Sequence, residues 1–294
     1  SRGRESEGTR VVTQFDRRLT PARPDLAAAH LKGKVEAARF VDGVRMQVVA
    51  PIADLKSAPA PDAGLDTQAL AGEIVAVYER EEGWAWVQLA SDSYVGYLPE
   101  AALAADVIAP THRVTTRATF VYPAANMKQP VAETLPFGAR VAIVETSGDF
   151  ARLARGGFVF ARHLAPADSR EKDFVAVAEG MIGAPYLWGG KTPLGVDCSG
   201  LVQASLAACG FAAPRDTDMQ AKGLGEHLAI ADDLVHLRRG DLIFWKGHVG
   251  IMRDTETLLH ANGHHMLVAS EPLKEARERI ARNSFGAITA IKRL

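Results

Sequence analysis

Asp197-Cys198-Ser199-Gly200, followed by His248 and His260, brings together residue types that can perform nucleophilic acyl transfer. Cys198 opens an apolar run, Leu201-Val202-Gln203-Ala204-Ser205-Leu206-Ala207-Ala208, that reads as a buried helix. A cysteine at a helix N-terminus sits where the helix dipole favours negative charge, so the sequence predicts a stabilised thiolate. In that arrangement His248 would take the Cys198 proton and return it to the leaving amine, and His260 would orient the His248 ring and fix its tautomer. The implied activity is that of a cysteine peptidase. Taken singly, each residue is as readily explained as a small buried hydrophobe or an incidental strand histidine; the combination favours chemistry.

The histidine pair sets a geometric condition. Residues 249–252 and 257–260 read as two strands joined through Arg253-Asp254-Thr255-Glu256. A three-residue loop, Asp254-Thr255-Glu256, would place Arg253 opposite Thr257 and Gly250 opposite His260. His248 would then share a sheet face with His260, diagonally across by ~7–8 Å between backbones. A two-residue turn would send His248 to the other face. The chemistry therefore requires an odd-numbered loop.

The elements that position this set divide the 294-residue chain, which is longer than one compact domain usually holds. Residues 1–44 read as an N-terminal arm in which Asp25 caps a short helix over 25–31. From 45 to 106, short alternating strands at 74–78, 84–89 and 94–98, separated by Gly, Asp and Ser, predict a small β-barrel. The pattern recurs over 107–166: the Gly72 segment is echoed around Gly138, and Tyr94-Val95-Gly96 by Phe158-Val159-Phe160, so a second barrel is expected. After Pro166-Ala167-Asp168-Ser169, residues 167–294 place helices before strands at 242–245, 249–252, 257–260 and 266–269, an α+β order.

A net charge of -1 excludes nucleic acid or an anionic membrane as the main partner. No apolar run approaches the ~18 residues needed to span a bilayer. Residues 1–10 are charged and lack the apolar core of a secretory signal. Cys198 and Cys209 would be separated by roughly 16 Å of rise on one helix, too far for a disulfide, which fits a reducing compartment; a cytoplasmic location is expected.

Several stretches resemble the NlpC family of papain-like cysteine peptidases, which cleave peptidoglycan peptides. They are Gly183-Ala184-Pro185-Tyr186-Leu187-Trp188-Gly189-Gly190, Gly195-Val196-Asp197-Cys198-Ser199-Gly200-Leu201-Val202-Gln203, Arg215-Asp216-Thr217-Asp218-Met219-Gln220, Gly240-Asp241-Leu242-Ile243-Phe244 and His248-Val249-Gly250-Ile251. The resemblance implies a papain-like fold with Cys198 as nucleophile, His248 as general base, His260 as third polar residue and Tyr186 as a phenol donor to the oxyanion. With two bacterial Src-homology-3-like barrels in front, the chain is similar to γ-D-glutamyl-L-diamino acid endopeptidases of the dipeptidyl-peptidase VI type. In that group the first barrel caps the cleft, so that only murein peptides with a free N-terminal L-Ala fit, and the bond cut lies between γ-D-Glu and the diamino acid, meso-diaminopimelate or lysine. Carried over residue by residue, the resemblance implies substrate contacts from Asp197, Ser199, Tyr94, Asp66 (where Glu is usual), Thr217 (where Ser is common) and Trp188, with Asp197 supplying charge for the substrate ammonium. No cofactor is implied. The competing readings are a non-catalytic wall-binding protein and a thiol acyltransferase on the same scaffold.

Other signals carry less. Gly190-Lys191-Thr192 resembles the end of a phosphate loop, but Pro185 stands where that loop needs glycine. His260, His264 and His265 lack a Cys or acid at ligand spacing, so no metal is expected. Trp84, Trp86 and Tyr97 read as barrel packing, Glu81-Glu82 as a solvated turn, and Cys209 as structural.

Overall fold

The computed structural model describes residues 15–294; the charged 1–10 stretch and the first part of the N-terminal arm lie outside the described residues. The helix expected over 25–31 does not form. Leu26–Ala28 is a strand, parallel to Arg39–Val41, followed by a single 3-10 turn at Ala29–Leu31. Pairing as a strand instead leaves Leu26, Ala27 and Ala28 all fully buried, which a helix with one buried face would not. The Asp25 carboxylate accepts from Arg23 instead of capping amides.

Residues 44–104 form one seven-stranded antiparallel sheet. In spatial order its strands are Leu65–Leu70, Ile52–Lys56, Val95–Pro99, Trp84–Leu89, Ile74–Glu81, Val44–Val48 and Leu103–Ala104. It curls around a core that includes Leu55, Val75, Val87 and Leu98, but its two edges do not pair, so the expected closed barrel is absent. The Leu65–Leu70 edge is committed elsewhere: Gln68 Oε1 accepts from the Lys191 amide and Thr67 Oγ1 from Arg215. An edge covered in this way no longer needs closure to protect it.

Residues 112–166 repeat the element order, down to a 3-10 turn and short final strand (Ala161–His163, Leu164–Pro166) matching Glu100–Ala102 and Leu103–Ala104. The strands here split into sheets of three and five. Gly72 and Gly138, the glycines on which the repeat was read, share φ +86, a backbone closed to most side chains. Gly72 also meets the second unit so closely that a Cβ would lie 2.5 Å from the Arg140 carbonyl oxygen.

The remainder is an α+β layer. Helix α1 (Phe174–Glu179) is capped by Asp173, whose carboxylate accepts from the Val175 and Ala176 amides. Helix α2 (Cys198–Ala208) and helix α3 (Thr217–Gly223) precede a six-stranded antiparallel sheet. Its order is Glu226–Leu228, Ala290–Arg293, Leu242–Trp245, His248–Met252, Thr257–Asn262, Leu267–Pro272. Leu242, Phe244, Val249, Ile251 and Leu259 pack with Leu201, Val202 and Leu206 of α2. Ile243, Trp245, Met252 and Leu258 face helix α4 (Leu273–Asn283), which contributes Leu273, Ala276 and Ile280 at helical spacing. The sheet is thus clamped between helices and holds its register rigidly. Among the described residues no helix is long and apolar enough to cross a membrane.

Candidate active site

The hairpin meets the condition set by the sequence. Ile251 pairs with Leu259 and Met252 with Leu258, and the Arg253 amide donates to the Thr257 carbonyl, so three residues form the loop. The Asp254 carboxylate fixes the turn by accepting from the Glu256 and Thr257 amides at 2.8 and 2.7 Å. His248 and His260 share a face, with Nε2 of the first 2.8 Å from Nδ1 of the second.

The row continues one strand further. His260 pairs with Ala269, which puts Glu271 diagonally across, and His260 Nε2 lies 2.7 Å from Glu271 Oε1. Arg279 on α4 grips both Glu271 oxygens at 2.6 Å. Glu271 and Arg279 were not anticipated, although extending the register argument by one strand places Glu271 on this face.

The chain of bonds fixes the tautomers. Arg279 and His260 hold the Glu271 carboxyl far below its usual range despite burial, so it is an ionised acceptor. His260 Nε2 therefore carries hydrogen. Burial lowers the His260 pKa, so Nδ1 is a lone pair and accepts from His248 Nε2–H. Burial, then electrostatic coupling to the adjacent His260 ring and the Arg279 charge, push His248 down to about 3, so it too is neutral. Its Nδ1, which has no hydrogen-bond partner among the described residues, is left as a base. Phe285 stacks on the ring at 5.2 Å and Trp245 flanks it at 5.6 Å.

These shifts link stability to pH. The unfolded chain protonates His248 near pH 6.5, the native state only near 3, so between those values the unfolded state binds more protons and stability falls as pH falls. From pH 7 to pH 5 this histidine should remove roughly 2 kcal/mol. Urea unfolding at the two pH values would show it. The H248Q variant should lose distinctly less stability over the same interval.

Cys198 begins α2 and is buried. The Val249 amide, from the residue after His248, donates to its sulfur, and Thr217 Oγ1 lies 3.7 Å away. The expected stabilised thiolate is not the resting state. Burial, reinforced by the Asp197 charge, pushes the thiol up to about 11, against the Thr217 hydroxyl, the Val249 amide and the Arg215 charge. The Tyr186 phenol is raised by burial and then by the Cys198 and Asp197 charges, which keeps it a protonated donor beside the sulfur.

Asp197 is not a free charge. As N-cap of α2 its Oδ1 accepts from the Gly200 amide at 2.7 Å, and Oδ2 from the Gly189 amide at 2.8 Å. Arg215, 1% exposed, binds both its oxygens at 2.9 Å and also donates to Ser199 Oγ, the Gly190 carbonyl and Thr67 Oγ1. Asp197 and Ser199 are thus tied into a buried network rather than offered to a ligand. This departs from the sequence expectation because the cation that consumes them arrives from 18 residues away.

A different acid is held from outside its own helix. Asp216 starts α3 without capping it, and its Oδ2 instead accepts from the Tyr94 hydroxyl at 3.0 Å. Asp66 lies near enough to feel it: burial and then the Asp216 charge raise the Asp66 pKa, against Arg215. Among the described residues the Asp66 carboxylate has no hydrogen-bond partner. The Tyr94–Asp216 bond therefore lies next to Thr217, which touches the nucleophile, with the Asp66 charge near it. Trp188 is 71% exposed at the rim. No group of residues with metal-ligand geometry occurs among the described residues.

Comparison with known proteins agrees with this construction. Residues 55–103 match the bacterial dipeptidyl-peptidase SH3 domain, and residues 183–280 match the NlpC/P60 family model. This segment is similar to the NlpC/P60 family. A gamma-D-glutamyl-L-lysine dipeptidyl-peptidase of Bacillus cereus is 26% identical over 205 residues, 62% of this chain and 60% of that one. A probable endopeptidase of Corynebacterium glutamicum is 37% identical over 118 residues, 39% of this chain and 52% of that one. The chain therefore spans between half and three-fifths of these relatives. A solved NlpC/P60 family protein from Bacillus cereus superposes with a TM-score of 0.69 at 19% identity, covering 85% of this chain and 99% of that one, and shares the fold. The NlpC/P60 segment contains Cys198, His248, His260, Glu271 and Asp216, whereas Asp66 and Tyr94 come from the SH3 match.

Proposed function

We propose that this chain is a cysteine peptidase that hydrolyses the bond between γ-D-Glu and a diamino acid in murein peptides bearing a free N-terminal L-Ala. The observation that carries the reading is the Tyr94–Asp216 hydrogen bond, which brings the first β unit to the residue before Thr217, the neighbour of Cys198, with the Asp66 charge close by: an acidic, hydrogen-bonding group next to a nucleophile suits a short peptide held by its ammonium. The name of the Bacillus cereus relative, with its γ-D-glutamyl bond, supports the substrate class.

The proposed chemistry runs through the tautomer row. The Cys198 proton passes to His248 Nδ1 as sulfur attacks the γ-carbonyl carbon. Burial penalises each charge taken alone, but transfer creates both together, and their attraction in a water-poor site offsets part of that cost. His260, backed by Glu271, accepts from the imidazolium at Nε2, and Tyr186 donates to the developing oxyanion. His248 then protonates the leaving amine, and the C–N bond breaks to leave a thioester on Cys198. Water attacks the thioester, His248 takes the water's proton, and L-Ala-γ-D-Glu departs as the thiol is restored.

In this reading 45–106 caps the cleft, 107–166 is a second SH3-like module, supported by the repeated element order, and 167–294 is catalytic. Asp216 replaces Asp197 as the amine reader. Mass spectrometry of products from L-Ala-γ-D-Glu-diaminopimelate and its N-acetylated form tests it. The free peptide should be cleaved with a kcat/KM about 100-fold higher or more, because acetylation removes the ammonium and leaves Asp66, which has no hydrogen-bond partner among the described residues, unpaired. Equal cleavage of both would refute the capped cleft, and cleavage of neither would refute the peptidase.

A further inference from the structure

Asp216 poses a local problem. An aspartate at a helix N-cap ordinarily accepts from the second or third amide of its own helix, worth about 1 kcal/mol. Here it makes no such bond, although its backbone has the extended geometry of a cap. Something outside α3 must hold the carboxylate away from those amides.

Two groups do so. The Tyr94 hydroxyl is one. The other is Arg18, from the N-terminal segment, whose Nη1 donates to Asp216 Oδ2 at 2.9 Å and to Asp218 Oδ1 at 2.8 Å; its Nη2 donates to Asp218 Oδ2 at 2.8 Å. Asp16 supports the guanidinium from behind through Nε and Nη2 at 3.1 and 2.7 Å. The segment is itself pinned to the first β unit. The Arg18 carbonyl accepts from the Val95 amide at 2.8 Å, the Leu19 carbonyl accepts from Gln88 Nε2 at 3.0 Å, and Leu19 packs with Met219 of α3 against the core of that unit. Isolated surface ion pairs are worth little. A planar fork engaging two aspartates on one helix turn, from a tethered backbone, specifies geometry instead.

We propose that Arg18 is a positioning residue for substrate selectivity: it draws the Asp216 carboxylate off its helix and holds it towards the cleft, so that Asp216 and Asp66 together read a free ammonium group. The idea rests on the amine-reading role given above to Asp216. It makes the N-terminal segment a working part of the specificity site, which the catalytic chemistry alone would not require. Without Arg18, Asp216 can turn back to cap α3, and its repulsion with Asp66 favours that move.

The test is steady-state kinetics of R18M and R18K on the free and N-acetylated peptides, using the full chain. For R18M, KM for the free peptide should rise about 10-fold with kcat within about twofold, while kcat/KM for the acetylated peptide stays unchanged. R18K retains one charge-assisted bond and should fall between wild type and R18M, and it keeps the test open if R18M does not fold. An unchanged KM in both variants overturns the proposal. So does an equal loss on both peptides, which would mark a structural role. Failure of wild type to discriminate between the peptides would instead refute the amine-reading site on which the proposal stands.

Discussion

Replacing Cys198 with alanine should reduce hydrolysis of the free peptide by roughly 10^4-fold or more while leaving the chain folded. The size of the effect follows from the site having one nucleophile. Thr217 Oγ1 lies beside the sulfur, but no histidine or carboxylate is hydrogen-bonded to it among the described residues to act as its base. Cys209, the other thiol, sits at the far end of α2. The fold should tolerate the change because the lost sulfur makes only a weak bond with Thr217 and accepts one amide. The α2 cap, the buried Arg215 network and the sheet do not involve it. Product analysis would give the rate, and thermal unfolding should show a shift of only a few degrees. Retained turnover in a folded C198A protein would falsify the thioester route. Because Asp66, Tyr94 and Asp216 are untouched, the same variant should still bind the free peptide, which separates recognition from chemistry.

The legible parts of this molecule are those governed by local rules. Loop length fixed the His248–His260 register because strand side chains alternate with period two, and the same rule, carried one strand further, reaches Glu271. The repeat was readable because Gly72 and Gly138 must each adopt positive φ. What local rules could not supply was which charge meets which. Asp197 beside the nucleophile looked available to a substrate ammonium, and only the fold brings Arg215 onto it and leaves Asp216 turned outward. The resting thiol follows a related logic: its place at a helix N-terminus is a local property, whereas the burial that raises its pKa comes from packing α2 against the sheet. The unclosed first sheet is a third case. Its pattern is that of a barrel, but one edge is committed to the residues around Arg215 and Lys191.

Arg215 is accordingly where the second large effect is expected. Its guanidinium is buried and makes five hydrogen bonds that join three places: the cap of α2 through Asp197 and Ser199, the glycine turn through the Gly190 carbonyl, and the first β unit through Thr67. R215M keeps much of the volume and removes all five. The Asp197 carboxylate would then remain buried with the Gly189 and Gly200 amides and a long bond from Ser199 Oγ but no cation, and stranding one member of such a pair typically costs about 3–5 kcal/mol. For a chain of this length that corresponds to a fall in Tm of roughly 10 °C. The loss belongs to the uncompensated charge rather than to the pair as such, so D197N/R215M should be more stable than R215M alone, with a favourable coupling of about 1–3 kcal/mol. Urea unfolding of the wild type, both single variants and the double variant measures that coupling directly. A double variant no better than the sum of its parts would mean that Arg215 acts by filling space, and Asp197 would then again be free to meet a substrate ammonium.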